Sequence, residues 1–280
     1  QMAGKKIIAI FLSVYEKVMI PANPIMIGAE KEIQDEGLAY DLVLCPFTYD
    51  RLSEKYAYLS SEFCSGAVIF ALSDKDMEDL EKQELDIPVV VYNRASDKFA
   101  SVYVDNYSAG MQAARVFSEK GITSAGVVSS LNPNKSSAMR KLGYLDGCRK
   151  FGIKVAEEQK IDCFMSVGGG SEAAEQLLAQ PELPEALFTT NDAIALGIMR
   201  KLQEKKVAVP EQISILSYGG NEWNEWVTPS LTTLRLPIEE MSSACVQLLN
   251  TMLTTGEWIP ISRIFQLELE YRESCTKTEK

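Results

Sequence analysis

The strongest constraint on this chain is a rhythm of short, wholly apolar, β-branched runs, each followed by a stretch with helical spacing. Ile7–Leu12, Leu42–Cys45, Ala67–Phe70 and Val89–Tyr92 offer no polar face to water, as expected of strands covered on both sides in a parallel sheet. Amphipathic stretches such as Gly28–Glu36 and Asp76–Glu84 lie between them. The rhythm continues through Val102–Val104, Gly126–Val128, Ala186–Phe188, Ile213–Leu216 and Leu231–Leu234. Alternation of this kind predicts an α/β fold of doubly wound parallel sheets, and so many strands call for two lobes.

Punctuation residues place the helices. Asp105-Asn106 is predicted to cap a helix running to Glu119 and stopped by Gly121. Ser137 opens another that ends at Phe151 before Gly152, and Asp192 opens a third through Leu202. Ile238 to about Thr254 makes a late helix, and Gly168–Gly170 is read as a turn into a helix over Glu172–Ala179. Phe265, Leu267, Leu269 and Tyr271 alternate with Gln266, Glu268, Glu270 and Arg272, which predicts one half-buried final strand. No Pro/Gly/Ser-rich linker divides the halves, so the chain should cross between lobes through short ordered segments. The expected boundaries are 5–120 for the N-terminal lobe, completed by 237–259, and 121–236 for the C-terminal lobe, completed by 260–275. Residues 276–280 form a polar tail. Two such lobes leave a cleft, and open α/β sheets hold ligands at the carboxyl ends of their strands.

Composition narrows the function classes. There is no histidine, which removes the commonest general base and the commonest metal ligand. Gly168–Gly170 lacks the lysine and the spacing of a phosphate-binding loop. No enzymatic activity, metal or cofactor is therefore expected. Six cysteines without a C-x-x-C pair read as reduced thiols. A net charge of −11 argues against this segment gripping nucleic acid. No apolar run approaches the roughly 18 residues of a membrane span. The N-terminal run lacks the cleavage pattern of a signal peptide, so a cytoplasmic location is expected.

Three segments then become specific in combination. They are Val102-Tyr103-Val104-Asp105-Asn106-Tyr107-Ser108-Ala109-Gly110, Ala186-Leu187-Phe188-Thr189-Thr190-Asn191-Asp192-Ala193-Ile194-Ala195, and the stretch from Val209-Pro210-Glu211 to Pro229-Ser230-Leu231-Thr232-Thr233-Leu234. In this order, and with Leu269–Ser274 closing the chain, they resemble the lac/gal repressor family of transcription regulators. That resemblance implies a periplasmic-binding-protein-like core, with a helix-turn-helix head expected ahead of the first strand.

The resemblance also implies a ligand site. Arg140 falls where the family places a ligand-gripping arginine, whose planar fork suits hydroxyls or a carboxylate. Asn191 offers a donor and an acceptor, or else caps a helix alongside Asp192. Asp105 is read equally as a site carboxylate or a cap. Phe164 falls where relatives set a ring against the ligand, and Tyr15 would serve similarly from the other lobe. The family commonly carries an aspartate after the strand ending in Tyr218, but here Gly219 and Gly220 follow, with Asn221 or Glu222 as substitutes. Gly219→Asp would on this reading restore the common family carboxylate and improve binding of a simple pyranose more than that of the natural ligand. The implied function is the effector-sensing and dimerisation core of a homodimeric regulator. It would bind a small molecule, a sugar or sugar derivative, in the inter-lobe cleft and so control operator DNA binding by the head. The alternative is an extracytoplasmic sugar-binding protein of a transporter.

Overall fold

Parallel pairing organises both halves of the molecule. The computed structural model describes residues 6–14 and 22–276, which fall into two units. Of these, unit 1 takes 6–14, 22–104 and 237–265, and unit 2 takes 105–236 and 266–276.

Unit 1 contains β1 (Lys6–Val14), α1 (Ala22–Asp35), β2 (Tyr40–Thr48), β3 (Gly66–Phe70), α2 (Asp74–Glu81), β4 (Val89–Tyr92) and β5 (Ala100–Val104). The chain later returns to it with α7 (Ile238–Thr255) and β11 (Ser262–Phe265). The sheet order is β11-β5-β4-β3-β1-β2, with every described pair parallel. Inner strands β3 and β4 are buried throughout, which accounts for their unbroken apolar sequences. Edge strand β2 is partly exposed. Helix α1 buries Ile25, Ala29 and Ile33, a stripe at helical spacing, and Ser242 of α7 donates to the Ile25 carbonyl at 2.6 Å.

Unit 2 contains α3 (Asn106–Glu119), β6 (Ala125–Ser130), α4 (Lys135–Phe151), β7 (Lys160–Cys163), α5 (Val167–Leu178), β8 (Ala186–Thr189), α6 (Asp192–Glu204), β9 (Ser214–Gly219), β10 (Thr232–Arg235) and β12 (Glu268–Glu270). Its order is β12-β10-β9-β8-β6-β7, parallel except for β12. Successive strand residues serve opposite faces. Leu187 joins a core cluster with Ala174 and Leu177 of α5 and Ile194 and Ile198 of α6. Its neighbour Phe188 meets the ring of Tyr144 on α4 at 4.9 Å between centroids. Tyr144 is fully buried and its hydroxyl donates to the Gly126 carbonyl at 3.0 Å, so the phenol is satisfied.

Several sequence expectations need correction. The first crossing falls at Val104/Asp105, not at 120, because α3 packs on α4 within unit 2. The last falls at Phe265/Gln266, not at 259, because β11 pairs with β5. The alternating segment 265–272 is two pieces: Phe265 ends β11, whereas Glu268–Glu270 pairs antiparallel with β10. Both are edge strands. Gly168–Gly170 lies inside α5, where a Cβ on Gly170 would sit 2.1 Å from the Ile194 carbonyl of α6. The cap of α4 is Asn134, whose side chain accepts from the Ser137 amide at 2.9 Å. Thr276 accepts from Lys120 at 2.6 Å through its carbonyl, and 277–280 lie outside the described residues.

Candidate functional site

The sheet of unit 2 changes winding direction between β6 and β8, and it is outside the carboxyl ends of strands at such a point that open α/β sheets hold ligands. Arg140 enters this region from α4. Its place is set by the crossing of α3 and α4: a Cβ on Gly110 would lie 2.0 Å from the Arg140 carbonyl, so the two helices touch backbone to backbone there. The side chain is only 6% exposed. Its Nη1 donates to the Thr190 carbonyl at 2.6 Å, and Nη2 and Nε donate to Asn106 Oδ1 at 2.7 and 3.2 Å. Its Cζ lies 3.3 Å from the ring centroid of Tyr218, a cation–π stack in a desolvated setting. Burial lowers the guanidinium's pKa from its ordinary value, opposed by Tyr218 and by the field of Asp192.

Buried polar groups without partners surround it. The Thr189, Thr190 and Tyr218 hydroxyls make no hydrogen bond among the described residues, although all three residues are buried. Unsatisfied buried hydroxyls are rare in folded proteins, and each calls for a partner such as water or a bound molecule, or for another physical reason.

The carboxylate of Asp192 organises the neighbouring loop. It is fully buried and accepts from Ser217 Oγ at 2.6 Å, Gly220 N at 2.6 Å, Asn221 N and Nδ2 at 3.0 Å each, Asn224 Nδ2 at 2.9 Å and Thr233 Oγ1 at 3.1 Å. These six bonds tie the start of α6 to the ends of β9 and β10.

The expected site residues separate into groups. Arg140 and Asn191 come together at the end of β8, where Asn191 caps α6 by accepting from the Ala193 amide at 2.8 Å. Its NH2 group makes no hydrogen bond among the described residues. Asp105 is the cap of α3: it accepts from the Ser108 amide at 3.0 Å and hydroxyl at 2.6 Å, which hold its pKa below the ordinary value. Its neighbour Asn106, not Asp105, reaches Arg140. Phe164 follows β7 two strands from β8 and is 57% exposed, not a core ring. Asn221 spends its donors on Asp192. Trp223 packs on the unit 2 core, while Trp226 is 82% exposed. Tyr15 lies outside the described residues. Sequence reading missed Asn106, Thr190, Tyr218 and Asp192. Asn106 and Asp192 were in view only as helix openers.

Among the described residues no group of three or more cysteine or carboxylate side chains is placed to hold a metal ion. No helix there is long and apolar enough to cross a membrane.

Comparison with known proteins adds to this geometry. A family model described as a periplasmic binding protein-like domain matches residues 114–275. The chain is 28% identical over 195 residues to the probable HTH-type transcriptional repressor ExuR of Bacillus subtilis, covering 69% of this chain and 59% of that one. It is 25% identical over 232 residues to the ribose operon repressor of Escherichia coli, covering 81% and 70%. The chain thus spans about three fifths to seven tenths of the length of these two relatives. Among solved structures it resembles a LacI family transcription regulator from Clostridium acetobutylicum, with a TM-score of 0.87 at 30% identity over 94% of this chain and 99% of that one.

Proposed function

The chain belongs to the LacI family of transcription regulators, and from that premise we propose that it is the effector-sensing and dimerisation core of a cytoplasmic, homodimeric regulator. In this reading it binds a small molecule, a sugar or sugar derivative, and so controls operator binding by a helix-turn-helix head carried on the longer protein. The observation that carries it is Arg140. A buried guanidinium with two of its five N–H groups unused among the described residues sits beside hydroxyls unpaired there, at the strand ends where such sheets hold ligands. Kinship with the ribose operon repressor supports a sugar-like effector. The net charge of −11 supports assigning DNA contact to a separate head.

Arg140, Asn191, Phe164 and Asp105 are proposed to contribute to the effector site. Arg140 grips, Asn191 supplies its free NH2, Phe164 supplies a ring face, and Asp105 acts through the position of Asn106. Asn221 contributes by holding the loop after β9.

A thermal-shift screen of sugars, sugar derivatives and nucleosides tests the reading. A ligand at 100 times its dissociation constant stabilises by about 2.7 kcal/mol. The expected result is a saturable rise in melting temperature with one chemical class. A flat response across the screen would count against it. For the dimer, light scattering at tens of micromolar should give twice the 31.1 kDa chain mass.

A further inference from the structure

Charge and hydrogen-bond capacity around Arg140 are lopsided. The three N–H groups it uses go to uncharged oxygens, the Asn106 amide and the Thr190 carbonyl. Charged donors find their best partners in anions, and among the described residues this desolvated cation is held by neutral acceptors alone. Two nearby carboxylates do not fill that place. Asp192 acts on Arg140 through its field, but its oxygens are taken by six neutral donors from β9, the loop after it and β10. Asp105 is turned onto Ser108 of its own helix.

The remaining functional groups are rich in donors. Among the described residues Arg140 keeps two N–H groups and Asn191 its NH2, which can only donate, and the Thr190 and Tyr218 hydroxyls, which can donate or accept, have no partner. Directly after Tyr218 the chain reads Gly219-Gly220, which contributes no side-chain acceptor. A side chain is excluded at Gly219 in any case, because a Cβ there would lie 2.5 Å from Asp192 Oδ2. A neutral polyol brings donors as well as acceptors, and its donors gain nothing from the N–H groups of Arg140 and Asn191. An anionic group brings acceptors only.

We infer that the effector is an acid, a carboxylate- or phosphate-bearing sugar derivative, and that its anionic group is received by Arg140. This inference rests on the effector-binding reading above and narrows the effector to one charge class. The shared chemistry is an oxyanion presenting two adjacent oxygens to a guanidinium fork.

Matched pairs provide the test. The chain is titrated calorimetrically with hexoses and ribose, with the corresponding uronic acids, and with hexose 6-phosphates and ribose 5-phosphate. At least one acid should bind at least about 10-fold tighter than its neutral parent, the scale of one hydrogen bond to a charged group. The uronate and phosphate arms tell a carboxylate from a phosphate ester. In Arg140→Gln, which keeps a neutral donor, that preference should collapse to within about 3-fold, and Arg140→Lys should retain part of it. Neutral parents binding as tightly as their acids would overturn the charge assignment while leaving the effector reading intact. The absence of binding by every member, acid and neutral, would take down both.

Discussion

At the scale of single residues, Asp192 and Gly219 are two halves of one device. The buried carboxylate needs its six donors, and the loop after β9 reaches it only because residue 219 has no Cβ and adopts φ of +149°. Asp192→Asn replaces an acceptor oxygen with a donor that faces other donors. It should cost at least about 2 kcal/mol of stability, since hydrogen bonds to charged groups are worth about 1.5–3 kcal/mol each. Denaturant unfolding at neutral pH measures it. Gly219→Asp, which the family resemblance suggested as a route to pyranose binding, should instead destabilise. The new Cβ meets Asp192 Oδ2 at 2.5 Å, and overpacking of this kind costs about 1–3 kcal/mol. A Gly219→Asp variant that melts like the parent and gains affinity for glucose would contradict this account. Arg140 stands out in the sequence by its family position, and the fold buries it against the Thr190 carbonyl. Asp192 was not legible there, because an aspartate opening a helix reads as a cap, and only the fold shows that the cap is Asn191 and that Asp192 serves the loops of β9 and β10.

The helices show which local signals survive into the fold. Helix α3 begins and ends where Asp105 and Gly121 say it should, because capping is settled within one turn of chain. Asp105→Ala should cost about 1 kcal/mol, the usual worth of such a cap. The sign of its pH dependence follows from the lowered pKa. The Ser108 bonds favour the ionised carboxylate, so their contribution is present above the ordinary carboxylate range and is lost as pH falls through the depressed value. Stability differences between parent and Asp105→Ala should therefore shrink on acidification, and equal differences at pH 7 and pH 3 would refute the cap. Strands were less legible at the edges. Lys160–Cys163 forms β7 with polar residues at alternate positions, and Ser262–Phe265 forms β11 although exposed residues break its apolar run. An edge strand owes its existence to a neighbour's free backbone groups more than to its own side chains.

Across the whole molecule, the division into two α/β units followed from the rhythm of apolar runs, whereas the crossing points did not. They are decided by which helix finds a partner, as α3 does on α4. Burial on this scale also sets the chemistry of the thiols. Cys64, Cys148 and Cys275 are pushed up to about 11 and Cys163 to about 12, mainly by burial, and Cys245 is raised further still. Only Cys45 is partly exposed. Since the thiolate is the nucleophile, iodoacetamide at pH 8 should label Cys45 first and the other five only on unfolding. Mass spectrometry that finds several thiols modified at equal rates in the native chain would contradict this picture.

The return of α7 and β11 to unit 1 has a consequence for synthesis. The ribosome delivers the chain from its N-terminus, so α1 emerges early with Ile25, Ala29 and Ile33 seeking cover. Part of that cover, α7, follows about 200 residues later, a delay of about 10–40 s at typical elongation rates. During that interval most of unit 2, being nearly continuous in sequence, can condense while unit 1 waits unfinished. The unit that starts first is thus completed only after most of the other has been made, and its early helices are the segments a nascent-chain chaperone would have to shield.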